Sequence, residues 1–255
     1  MLLARPSAAV TAIFRSDRVV GRLAGAWIAL AVVLGGYWIQ LDLSHAALVS
    51  QAEHLTRLRA LQTAHALALH TGALFRKLDY LSVHLGEHWL KEGARGSRDA
   101  LVRAHRALPN DALVGIDIAD AEGRLLYSTV GERLPVELER YGITDFEHFR
   151  VHLSGDRGLF IGQPYRGRIT GAWIVPFSRA LIEEGRLRGV IVMSVSVVHL
   201  TRALRELYPG ISDVAALVRD DGRFLAHSSR TEEAMGRSVP ADRPYLLDRT
   251  ASQGS

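Results

Sequence analysis

The longest uninterrupted apolar run, Leu23–Leu41 (LAGAWIALAVVLGGYWIQL), holds nineteen residues and no charge. As a helix it rises roughly 28 Å, the thickness of a bilayer's hydrocarbon core. It would satisfy its own backbone hydrogen bonds where lipid offers none. Trp27 stands near one end, and Tyr37 and Trp38 near the other, where amphipathic rings favour the interface. The pattern predicts a membrane-spanning helix over 23–41. From Asp42 to Lys91 there is no proline, and the apolar residues change to a three-to-four spacing. Leu48, Ala52 and Leu55 follow it, as do Leu67, Leu74, Leu78, Leu81 and Leu85 with a gap at Thr71. This spacing predicts an amphipathic stalk helix over 42–91, with one break near Gly72.

After a connection at Glu92–Asn110, which contains a short helical piece (Asp99–Leu108), the texture turns to strands. Ala112–Ala119 and Leu125–Val130 flank an acidic turn and form a hairpin. Pro135–Tyr141 reads as loop or short helix. Thr144–Leu153 reads as a helix with Thr144 at the N-cap and Glu147 at capping-box spacing. Gly158–Gly162, Gly171–Arg179 and Arg188–Ser196 are three further strands, the last two joined at Glu184-Gly185-Arg186. Val197–Leu207 is a helix ended by Pro209-Gly210. The expected class is α+β, with a five-stranded antiparallel sheet of PAS-like order after the long helix.

Ile118–Thr129 (IADAEGRLLYST) and Val218–Ser229 (VRDDGRFLAHSS) share a strand, an acidic turn, Gly-Arg, an apolar pair and serine, about a hundred residues apart. The repeat predicts two tandem lobes. The competing explanation is that Gly-Arg hairpins recur in any arginine-rich chain. Too little chain follows the second copy to complete a sheet, so the second lobe is expected to be truncated and the chain a fragment.

Charge sets the expected topology. Arg5, Arg15, Arg18 and Arg22 precede the run against Asp17 alone, while Asp42 and Glu53 follow it. The positive-inside bias places the N-terminus in the cytoplasm and residues 42–255 in the periplasm, with the inner membrane as the first partner. A signal peptide cleaved near Ser44-His45-Ala46 and a buried core helix are the alternatives. Residues 1–22 account for +3 of the net charge of +4, so the remainder is near neutral and offers no nucleic-acid surface. The absence of cysteine excludes disulfides, thiolate metal sites and cysteine catalysis.

TDFEHFRVHL, GLFIGQPYRGRITGAWIVPFSRAL and GRLRGVIVMSVSVVHL together resemble the periplasmic double Cache domains of bacterial receptors, most closely those preceding diguanylate cyclase (GGDEF) domains. The resemblance covers roughly residues 20–230, with Gly162-x-Pro164, Gly171-x-Trp173 and Ser178-Arg179 as its more specific elements. It implies a tail (1–22), a span (23–41), a stalk (42–91), a membrane-distal ligand-binding lobe (92–210) and the start of a membrane-proximal lobe (211–255). It also implies a second span and a cytoplasmic output domain, neither of which the sequence contains. Phe146 stands where relatives often carry arginine, and Ser196 where they carry aspartate. Those departures remove charges that would hold an amino-acid ligand. Ser196 remains suited to cap the following helix.

Trp173, Val175, Phe177 and Arg179 alternate and so share one strand face. Arg179 among aromatic rings needs a partner. One reading pairs it with a carboxylate on a small ligand, with Trp173 and Phe177 as walls and Phe149, Arg150, Tyr165 and Arg168 facing the same space. The other is an ion pair with Glu183, Glu184 or Asp145, the rest serving as core and rim. His84-x-x-Glu87-His88 matches an inverted zincin motif without a third ligand downstream. His148 and His152 lie one helical turn apart and offer two ligands at most. No nucleophile-elbow, dinucleotide or cyclase motif occurs, so no cofactor and no catalytic residue are expected. The favoured reading is a non-enzymatic sensor module that passes a stalk shift through a parallel homodimer. A membrane-tethered metallohydrolase using His84, Glu87 and His88, and a non-binding structural tether, are the alternatives.

Overall fold

The computed structural model describes residues 8–109, 111–131, 137–138, 141–207 and 214–240. The loop expected at 135–141 falls mostly outside these residues, and the stop at Pro209-Gly210 wholly so. The chain divides into two compact units, Met1–Gln62 and Thr63–Ser255.

Helix α1 (Ala8–Arg106) begins in the first unit and continues into the second. Among the described residues it is the one helix long and apolar enough to cross a membrane, and none of its apolar window is buried. Trp27 is 69% exposed, with Tyr37, Trp38 and Ile39 similarly bare. Water disfavours so continuous an apolar surface; hydrocarbon does not. The expected break at Gly72 is absent. Thr71 is buried there, and its Oγ1 donates to the Leu67 carbonyl at 2.7 Å, so the polar residue in the leucine row is satisfied by its own helix. The interruption comes instead at Gly93 (φ 65°, ψ −168°).

In the second unit, strands β1 (Leu113–Asp120), β2 (Leu125–Ser128), β3 (Phe160–Ile161), β4 (Tyr165–Arg166), β5 (Trp173–Glu183) and β6 (Arg186–Ser196) form one antiparallel sheet. Its order is β2-β1-β6-β5-β3, and β4 also pairs with β5. Two-residue β4 is an addition to the five expected strands. The β5–β6 turn places Glu184 (φ 48°) and Gly185 (φ 78°) in the left-handed region, the geometry that matches the twist of a tight hairpin.

The sheet has two apolar faces. Ile116, Ile118, Val175, Phe177, Ile191 and Met193 pack on Leu78, Leu85, Trp89 and Leu101 of α1. Phe75 meets Phe177 with ring centroids 4.9 Å apart. The opposite residues, Ala119, Val190 and Val192, pack with Leu125, Ile143 and Phe149. Phe149 belongs to α2 (Glu147–Leu153), whose N-cap is Phe146, without a side-chain cap. The expected capping box from Thr144 does not form, because Glu147 bonds elsewhere: its carboxylate accepts from Arg219 at 3.0 and 3.1 Å. Helix α3 (Val197–Leu207) has the predicted limits, and Ser196 Oγ accepts the His199 N–H at 3.3 Å, as a cap should.

The repeated sequence is a repeated structure at the level of the hairpin. Strands β7 (Ala216–Val218) and β8 (Phe224–His227) carry an irregularity at Leu217/Val218, as β1 and β2 do at Ile118/Ala119. In both copies a later segment returns across the turn. The Ile143 N–H donates to the Gly123 carbonyl at 2.9 Å, and the Val239 N–H to the Gly222 carbonyl at 2.8 Å. Helix α4 (Thr231–Ala234) follows β8. Glu232 from α4 accepts from Trp173 Nε1 and from Arg166, each at 2.8 Å, tying the second hairpin to the sheet's edge.

Gly189 on β6 lies so close to β1 that a Cβ would sit 2.1 Å from the Ala119 carbonyl oxygen. Backbone cannot yield as a side chain can, so Gly189→Ala should cost about 3 kcal/mol, lowering the thermal midpoint by about 6–12 °C. Circular dichroism melting checks this; an unchanged midpoint would mean that β1 and β6 lie further apart.

Candidate ligand-binding cavity

On the sheet face opposite α1, the described residues leave the covering incomplete. A cavity of about 60 Å³ remains, room for roughly four to six water-sized groups. Its walls come from every surrounding element. Strand β1 supplies Val114 and Asp117, and β6 supplies Val192 and Ser194; Ile174 comes from β5 and Leu125 from β2. Tyr165 on β4, Arg168, Ile169 and Thr170 on the next turn, and Tyr141, Ile143 and Phe146 before α2 close it. His148, on the first turn of α2, completes the wall.

Two residues of this wall carry a buried polar atom without a hydrogen-bond partner: Asp117 Oδ1 and His148 Nε2. Asp117 pairs across the ladder with Ser128. Ser128 Oγ accepts the N–H groups of Val130 (3.2 Å) and Gly131 (3.4 Å), leaving its hydroxyl hydrogen for the Asp117 carboxylate. Asp117 is half-buried as a residue, but Oδ1 itself is fully buried. Burial raises its pKa to about 6, against the Ser128 hydrogen bond that lowers it. His148 is 2% exposed and stacks against Phe146 (5.1 Å) and Tyr165 (5.5 Å), whose own rings meet at 4.4 Å. Burial lowers its pKa to about 3; neighbouring His152 acts in the same direction and Asp145 in the other. The Tyr165 phenol is pushed up, chiefly by burial and then by Asp117, and stays protonated.

Arg168 lies over the Phe146 ring at 4.3 Å, donates to the Gly142 carbonyl at 2.8 Å and forms an ion pair with Asp145. It is a rim cation, half exposed, with each Nη already making one bond.

The structure divides the residues singled out in the sequence. Tyr165 and Arg168 line the cavity. Phe149 is buried beneath it in the core of that face, and Arg150 is exposed on α2. Phe177 and Arg179 do share one face, but it is the face packed on α1. Arg179 Nε donates to Ser82 Oγ at 2.8 Å, Nη1 donates to the Arg157 carbonyl at 3.2 Å, and Nη2 pairs with Asp79. Its partner is thus an aspartate of α1 rather than Glu183, Glu184 or Asp145. Trp173 sits at the sheet edge, bonded to Glu232 and under Arg166. Sequence reasoning passed over Asp117 and weighed His148 only as half of a metal-ligand pair with His152. The signal for Asp117 was present: it is the one charge inside the apolar stretch Ala112–Ala119.

No metal centre forms among the described residues, where no three histidines or carboxylates gather. His84 Nδ1 lies 2.9 Å from the Tyr80 carbonyl, within its own helix. His152 is spent on the Ser178 hydroxyl and the Asp156 carbonyl, each at 2.9 Å, so it and His148 do not act as a ligand pair.

No protein-family model matches the chain, and none of the curated proteins does. Solved structures do. The extracellular domain of rpHK1S-Z16, a candidate histidine kinase, superposes with a TM-score of 0.63 at 24% identity, over 78% of this chain and 79% of that one. The ligand-binding domain of the Campylobacter jejuni chemoreceptor Tlp3, solved with 4-methylisoleucine, gives 0.53 at 12% identity, over 71% and 72%. That of the Pseudomonas fluorescens chemoreceptor CtaA, solved with L-valine, gives 0.52 at 17% identity, over 67% and 72%. What this chain shares with these extracellular sensor domains is the fold.

The two buried groups give opposite pH dependences. Asp117, raised from 3.8 to about 6, adds stability that is present below about pH 4 and lost as pH rises through 6. His148, lowered from 6.5 to about 3, adds stability that is present above 6.5 and lost as pH falls toward 3. Asp117→Asn removes the first and keeps the second. The stability of this variant relative to the parent should therefore swing by about 2.4 kcal/mol in its favour between pH 4 and pH 7.5. Urea denaturation at each pH measures it, and a constant difference would show an ordinary carboxyl.

Proposed function

We propose that the chain is an extracytoplasmic sensor module, anchored by Leu23–Leu41 with residues 42–255 in the periplasm, that binds a small amine-bearing molecule in this cavity. The observation that carries the reading is the unpartnered Asp117 oxygen in a small, largely apolar space. A buried carboxylate calls for a donor, and a protonated amine supplies both hydrogen bonds and charge. His148, on another wall of the same cavity, carries a second buried nitrogen without a partner. Val114, Leu125, Ile143, Ile174 and Val192 suit a short aliphatic tail. The sensor domains of like fold, two of them solved with small aliphatic amino acids, support this ligand size.

Anchoring chemistry here differs from the carboxylate pairing suggested by Arg179. That guanidinium is engaged on the other face, and Arg168, the cation at the cavity, is held by Asp145. A ligand carboxylate is therefore optional, and the amine is the primary handle. In this reading residues 92–210 form the membrane-distal lobe and 211–255 the start of a second. A parallel homodimer through the stalk carries the shift, because a ligand acts only by favouring one arrangement over another. The association with a diguanylate cyclase output rests on the sequence resemblance alone.

Isothermal titration with L-valine, isobutylamine and isovalerate separates the handles. The two amines should bind and isovalerate should not, and Asp117→Asn should weaken the amines by about 10- to 100-fold. Equal binding of isovalerate would make the carboxylate the handle; binding of none would favour a structural tether.

Arg179→Ala provides the counterpart. Loss of a charged hydrogen-bond set between β5 and α1 should lower stability by about 2 kcal/mol. The thermal shift induced by L-valine should nevertheless persist, and its disappearance would return Arg179 to the site.

A further inference from the structure

Asp117 is surrounded by groups that neither neutralise nor fully solvate it. Ser128 from β2 donates one hydrogen bond. From β4 comes the Tyr165 phenol, from α2 the uncharged His148 imidazole, and from the turn after β4 Arg168, which is already paired with Asp145. Among the described residues no cation pairs with Asp117. Left alone, such a carboxylate is relieved most simply by a proton.

We propose that ligand binding in this cavity is proton-coupled: in mild acid the empty site holds Asp117 as the neutral acid, and an ammonium ligand must displace that proton to bind. The inference rests on the amine reading above and adds regulation to it. The carboxylic O–H bond breaks, the proton leaves to solvent, and the ammonium N–H groups donate to the carboxylate in its place. No covalent bond forms to the ligand and no electrons are transferred.

The position of the coupling follows from burial. An ordinary carboxyl at 3.8 would be ionised across the whole range in which the protein is handled, and binding would be indifferent to pH. Raised to about 6, Asp117 changes charge in a range that an environment-facing domain meets. Occupancy then depends on both amine concentration and acidity: affinity falls about tenfold per pH unit below 6 and is level above it. His148 does not share in this, since burial keeps it neutral until about pH 3.

The test is calorimetry of the full chain in detergent, with L-valine and isobutylamine as probes, at pH 5, 6 and 7.5. Two buffers of different ionisation enthalpy at each pH give the protons exchanged. Release of about 0.9 proton at pH 5, about half at pH 6 and almost none at 7.5 is expected, with affinity about tenfold lower at pH 5 than at 7.5. Ser128→Ala, which removes the one interaction favouring the ionised form, should move the midpoint upward. Binding without proton release at pH 5, a midpoint unmoved in Ser128→Ala, or release retained in Asp117→Asn would each overturn the coupling while leaving the amine reading intact. No binding of either probe at any pH would bring down the amine reading itself.

Discussion

The alternation of side chains along β5 and β6 is the constraint on which the second unit depends. Each strand runs eleven residues at the centre of the sheet, and each is apolar on both faces. A sheet of this kind has to be covered twice. α1 covers one face with large, regularly spaced side chains, and Phe177 and Met193 are wholly buried there. Among the described residues the other face receives only a seven-residue helix and irregular segments, which leave a gap over Asp117 and Ser194. Which residues became core and which became cavity is thus decided by whether they fall at odd or even positions on two strands.

That parity explains what could be read in advance. The elements themselves were legible, because each carries its own local cause. Val197–Leu207 has a capping serine and a break behind it, Glu184-Gly185 suits a tight turn, and the strands are β-branched runs. The sets of residues sharing a face were legible too, since Trp173, Val175, Phe177 and Arg179 do lie together. Their destination was not. Periodicity divides a strand into two sides but does not say which side meets the helix, and two apolar sides look alike. An arginine among aromatic rings suggested a ligand, while its partner, Asp79, lies a hundred positions earlier in the chain. Asp117 was harder to see, since it is flanked by isoleucines in a strand that otherwise reads as core.

Local motifs misled where a tertiary partner outbid them. Thr144 and Glu147 have capping-box spacing, yet Glu147 is drawn to Arg219 from the second hairpin. The gap at Thr71 suggested a break, yet a threonine hydroxyl can close on its own helix. The repeat, by contrast, held at finer detail than sequence similarity required: both turns are crossed by a returning segment through the same glycine carbonyl.

The bracing of α2 has a mechanical consequence. Its first residue, Glu147, is gripped by Arg219, whose side chain is 14% exposed, and its sixth, His152, is bonded to the buried Ser178. A helix of under two turns pinned at both ends neither tilts nor rolls, so the imidazole of His148 is a fixed jaw. The turn at 167–170 closes on itself through backbone bonds, Gly167 N–H to the Ala172 carbonyl and Gly171 N–H to the Gly167 carbonyl. It reaches the segment before α2 through Arg168, whose bonds are open to solvent and so individually weak. A molecule entering between them is gauged against an unyielding surface on one side and moulded by a pliant one on the other.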